Sequence, residues 1–92
     1  MFVTKEQIAI AKELWELARD ACVVAHCNWG LLEGSKASII QSLRDHGTRP
    51  LAAEEAFKLF REERLDAYHK LLLVKDERAQ ELAELERRYQ QQ

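Results

Sequence analysis

Cys22, His26 and Cys27, in the order Cys-x-x-x-His-Cys, are the residues most suggestive of chemistry. On a helix Cys22 and His26 stand one turn apart, where a thiolate and an imidazole can share one ion. Cys27 lies five residues from Cys22, on nearly the opposite side, and no second pair exists to complete a tetrahedral shell. The same geometry argues against a disulfide between the two cysteines, leaving them as small apolar thiols of a reducing compartment. Asp66-x-x-His69 has the helical spacing of a bridging carboxylate site. A di-metal bundle needs two such pairs and further inward carboxylates, and this chain has one, so a solvated face is expected there. Ser35, Ser38 and Ser42 have no His on a matching face, and no phosphate loop, nucleophile elbow or zinc-protease helix is present. The expectation is a protein that is not an enzyme, with no cofactor and no metal.

The elements that carry these residues are helices. Thr4-Lys5-Glu6-Gln7 reads as a capping box, and from it an apolar series runs Ile8, Ala11, Trp15, Ala18, Cys22, Ala25, Trp29, Leu32, Ile39 and Leu43. Its steps alternate three and four, with Lys36 filling one gap, which is the period of a heptad seam. Large residues alternate with alanine, so a neighbouring helix can approach closely. The series stops at His46-Gly47-Thr48-Arg49-Pro50. Gly47 suits the left-handed residue past a helix end, Thr48 a cap for the next helix, and Pro50 its first turn. A second helix follows Ala53, Phe57, Phe60, Arg64, Ala67, Leu71, Val74, Arg78, Leu82, Leu85 and Tyr89.

These patterns predict one all-α domain over residues 1–92: a helix over about 5–46, a turn at 47–50 and a helix over about 51–89. The fold class is a long antiparallel helical hairpin, coiled-coil-like. It becomes three helices if Gly30 and Gly34, followed by Ser35, break the first. Folded about Thr48, residue i lies level with residue 96 − i. Trp29 then meets Ala67, and Val24 meets Leu72. Around that second pair, Ala21-Cys22-Val23-Val24-Ala25 and Leu71-Leu72-Leu73-Val74 are apolar all round. A hairpin helix buries one stripe, so part of this belt is left over. Val23, Val24, Leu72 and Leu73, with Trp29 as an anchor, are the candidate interface for a second copy, a third helix or a foreign protein.

Composition narrows the partner. Ninety-two residues bury a thin core. A net charge of −2, with both signs interleaved, disfavours direct nucleic-acid binding, although Arg61, Arg64, Lys70 and Lys75 offer a local basic patch. No signal peptide is evident after Met1, and no run approaches the roughly 18 apolar residues of a membrane span, so a cytoplasmic protein is expected.

The layout resembles the small helical-hairpin accessory proteins of bacteriophages and prophages. It matches them over roughly residues 14–89, in an alanine-rich first helix with aromatics, a short Gly-containing turn, and Leu51-Ala52-Ala53-Glu54-Glu55-Ala56 leading into Asp66-Ala67-Tyr68. Gly30 and Gly34 depart from the smooth hairpin of that pattern. The resemblance implies a protein that binds and modulates another: an inhibitor of host defence such as an anti-CRISPR, or a partner of recombination and replication enzymes. The Val23/Val24–Leu72/Leu73 belt separately predicts a homodimer. A structural coiled-coil spacer is the remaining expectation. No functional residue carries over.

Overall fold

The computed structural model describes residues 2–92. They form three α-helices and no strand: α1 (Lys5–Gly34), α2 (Lys36–Asp45) and α3 (Pro50–Gln90). The chain is all-α, and the helices pair antiparallel.

Each boundary has a local cause. The capping box closes as its residues predict, with the Gln7 amide donating to Thr4 Oγ1 (3.1 Å) and the Thr4 amide to Gln7 Oε1 (2.9 Å). The break between α1 and α2 is one residue wide and falls at Ser35, after the second glycine rather than across both. Ser35 adopts φ −99° and ψ 4°, and its side chain caps nothing. Its amide is shared between the carbonyls of Leu31 (3.0 Å) and Leu32 (3.2 Å), while its own carbonyl accepts from Ile39 (3.0 Å). The backbone ladder therefore tightens for a step and resumes, which is how a local 3₁₀ turn marks a weak point in a helix.

The end of α2 is a Schellman turn. Gly47 takes φ +93°, its amide reaches the Arg44 carbonyl (3.0 Å), and the Thr48 amide reaches the Leu43 carbonyl (3.0 Å). His46 adds Nδ1 to the Ser42 carbonyl at 2.7 Å. The expected cap by Thr48 is not made. Arg49 occupies the position before Pro50, and its carbonyl accepts the first bond of α3, from Ala53 (2.9 Å).

Two compact units result, one made of residues up to Val23 with His69–Gln92, the other of Val24–Tyr68. In the first, Val3, Ala11 and Cys22 are buried, with Ile8, Trp15, Ala18, Leu72, Leu82, Leu85 and Tyr89 half-buried. Gln92 Nε2 donates to the Val3 carbonyl (3.0 Å), and its Oε1 accepts from the Val3 amide. In the second unit Ala53 is wholly buried and Phe57 is 3% exposed, with Trp29, Leu32, Ile39, Leu43, Leu65 and Tyr68 half-buried around them.

Every apolar position of the first predicted seam is protected, but the second seam needs correction. Phe60, Arg64, Ala67 and Val74 are exposed, and Leu65, Tyr68, Leu72, Lys75 and Ala79 take the protected places. After Phe57 the next protected residue is Leu65, and from there the stripe steps by three, then four, each member one residue beyond the predicted Arg64, Ala67, Leu71, Val74 and Arg78. The register is also shorter than the folding about Thr48 implied. Glu33, set opposite Glu63, instead pairs with Arg61, and His26, set opposite Lys70, meets Tyr68 with ring centres 5.9 Å apart and planes tilted by 51°. Both shifts are two residues, because the chain reverses on Gly47 rather than Thr48.

Near the end of α3, Arg87 grips Glu84 with two nitrogens, Nη2 at 2.6 Å and Nε at 3.1 Å. The hydrogen bonds from Arg87, reinforced by its charge and that of Arg88, hold the Glu84 carboxyl below the usual glutamate range, with desolvation opposing. A depressed carboxyl contributes stability above its unfolded pKa and loses it as pH falls through the folded value. Carboxyl carbon NMR titration should show Glu84 titrating below the usual glutamate range, and Arg87→Gln should move it upward. Two of the glycines give a second test. Gly47→Ala forces an L-residue into the left-handed region and should cost about 1–2 kcal/mol. Gly30→Ala, where an added methyl meets open space inside α1, should add up to about 1 kcal/mol. Urea unfolding followed by helical circular dichroism reads both, and equal signs would refute this account of the turn.

Candidate interaction surface

Cys22 is buried and Cys27 exposed, consistent with their opposite sides of α1; His26, Asp66 and His69 are exposed. Among the described residues, no group of three or more His, Cys, Asp or Glu has a metal-holding arrangement. The belt residues divide between the units. In the first, Val23 and Leu73 are exposed and Leu72 half-buried; in the second, Val24 is exposed and Trp29 half-buried.

Trp29 is partly covered by charge. The Arg61 guanidinium lies 5.0 Å from its ring centre and is itself ion-paired with Glu33. Lys36, the polar gap in the seam, lies 5.9 Å from the Phe57 ring and 3.9 Å from Glu54. In both contacts the charged group itself lies over the ring face, where the ring quadrupole attracts it.

The second unit also holds an apolar groove of about 320 Å³ beside the Ser35 break. Leu31, Asn28 and Ile39 form one side, and Phe60 and Arg64 the other. Arg64 lies 4.8 Å from the Phe60 ring and has no carboxylate partner among the described residues. Phe60 and Arg64 were expected in the buried seam, and the displaced register puts them on this wall instead.

A further series escaped the sequence reading. Ile10, Leu14 and Leu17 are exposed and Ala21 half-buried in the first unit, and Val24, Asn28 and Leu31 are exposed in the second. Along α1 their steps are four, three, four, three, four, three, a second heptad seam about 100° round the helix from the first. Its alternation was legible in the residues, but the stronger series with both tryptophans masked it.

The chain matches no known protein family, no characterised protein and no solved structure. Among the described residues no helix is long and apolar enough to cross a membrane.

Covering of Trp29 by Arg61 is directly measurable. In a Trp15→Phe background, Arg61→Ala should shift Trp29 emission to longer wavelength and raise its quenching by acrylamide. Unchanged emission would mean that Arg61 leaves the ring open to water.

Proposed function

We propose that this chain is a non-catalytic protein-binding module that docks apolar helix surface on another protein. One observation carries the reading: among the described residues, twelve large apolar side chains are exposed while five residues are buried. Each exposed leucine-class side chain forgoes roughly 1.5–3 kcal/mol of transfer free energy, so a surface of this kind gains from being covered. The groove beside Ser35 supports a choice of partner. Leu31 and Phe60 offer apolar walls, and Arg64 offers an uncompensated cation at the rim, which together suit an apolar side chain flanked by a carboxylate.

The resemblance to phage and prophage helical accessory proteins extends the proposal to a modulator or inhibitor of a host or phage protein, of the anti-CRISPR kind. The nucleic-acid reading is disfavoured by charge. Net charge is −2, and Arg19, Lys36, Arg61, Arg78, Arg87 and Arg88 are engaged with carboxylates, so no basic excess is offered to phosphates.

Affinity capture from host-cell lysate, with and without nuclease, tests the reading. The expected result is one stoichiometric protein retained after nuclease and lost with Phe60→Asp. Retention that disappears on nuclease treatment would replace this reading with the nucleic-acid one. Recovery of nothing but the chain itself would leave a structural spacer.

A further inference from the structure

The groove beside the Ser35 break lies wholly within the second unit, and its chemistry is ordered along its length. Glu33 pairs with Arg61 and His26 meets Tyr68, so in this unit residue i lies level with residue 94 − i. Asn28 and Arg64 therefore stand within a turn of each other at the end away from Gly47. Leu31, Phe60 and Ile39 follow toward the turn. Leu31 and Phe60 are exposed, at 70% and 42%, and Leu32 and Ile39 are half-buried between them. From Asn28 to Ile39 the wall runs for about three helical turns.

The polar end is built of donors. Among the described residues Arg64 is the one charged side chain lining the groove, and it forms no ion pair. Its guanidinium is held 4.8 Å from the Phe60 ring. The Asn28 amide makes no hydrogen bond to the described chain. A carboxylate placed against this end accepts from both side chains, and a guanidinium can meet it with two parallel bonds. One cation is too little for a run of phosphates. The other hollow of this unit sets Lys36, Lys58 and Arg61 beside Glu33, Glu54 and Glu55, so its charges cancel and select no partner.

We propose that the groove seats an acidic amphipathic helix of another protein. Two apolar side chains one turn apart enter between Leu31 and Phe60, and a carboxylate one turn further on meets Arg64 and Asn28. The spacing follows from Phe60 and Arg64, four residues apart on α3, because positions four apart on a facing helix repeat at the same pitch. This rests on the reading of the chain as a protein-binding module, and names the chemistry of the segment bound.

The test titrates the full chain into a labelled alanine-based helical peptide and follows fluorescence anisotropy. The peptide carries two leucines four residues apart and a glutamate four residues beyond. Saturable binding is expected, weakened about tenfold or more when the glutamate is replaced by glutamine, and equally by Arg64→Gln with the glutamate kept. Arg64→Glu should reverse the preference toward a peptide with lysine in place of the glutamate. Phe60→Asp should abolish binding with helical circular dichroism unchanged. Absence of saturable binding, or equal binding of the glutamate and lysine peptides, would overturn the acidic helix. Binding indifferent to Phe60→Asp would overturn the groove. Self-association of the parent chain that Phe60→Asp abolishes would give the groove to a second copy instead. A protein captured from lysate as well by Arg64→Glu as by the parent chain would sink this inference and leave the protein-binding reading standing.

Discussion

A helix laid against one other helix buries one stripe, and nearly everything else in this molecule follows from that limit. Five residues among those described are buried: Val3, Ala11, Cys22, Ala53 and Phe57. Three of these are alanine or cysteine, small residues that contribute little apolar area but allow the backbones to approach. The tryptophans and leucines beside them are only half-buried, because no third layer exists within either unit to cover their outer edges. The alternation of large and small residues along α1 is thus a way of obtaining close packing from a narrow contact.

Charged side chains supply part of the missing layer. Trp15, Trp29, Phe57 and Phe60 each have an arginine or lysine over the ring, at 4.8 to 5.9 Å. At exposed sites each such contact is worth about 0.5–1 kcal/mol, less than burial in a core. It shields one ring and leaves neighbouring leucines and valines untouched. All of these cations but Arg64 also hold a carboxylate: Arg19 holds Asp20, Arg61 Glu33 and Lys36 Glu54. The interleaved charge along the chain therefore serves as cover for aromatics as well as a solvated face.

Periodicity made the helices, the capping box and the left-handed Gly47 legible from the residues alone. The inner face of α1 was legible for the same reason, since its heptad is reinforced by two tryptophans. The face of α3 was not. Phe57 and Phe60 are three residues apart and both aromatic, so the pattern admits a stripe through either continuation. The choice depends on where the chain reverses. A Schellman turn on Gly47 instead of a pivot at Thr48 moves the register by two residues and favours Leu65 and Tyr68 over Arg64 and Ala67 as the inward residues. That is a tertiary decision with no local signature. The single-residue break at Ser35 was ambiguous for a different reason: two glycines weaken a helix without specifying where it yields.

The exposed seam and the thin core have one origin. A chain of this length that devotes its strongest heptad to its own hairpin has few apolar residues to spare, yet α1 carries a second heptad of nearly equal regularity. Random exposure scatters apolar side chains singly over a surface. Here they recur at alternating steps of three and four for three turns of the repeat, with an acidic row at seven-residue spacing along one edge. They stay in water because the inner stripe of α1 is the one face that an opposing helix can cover, and an alternation offset by one residue points about 100° away from it.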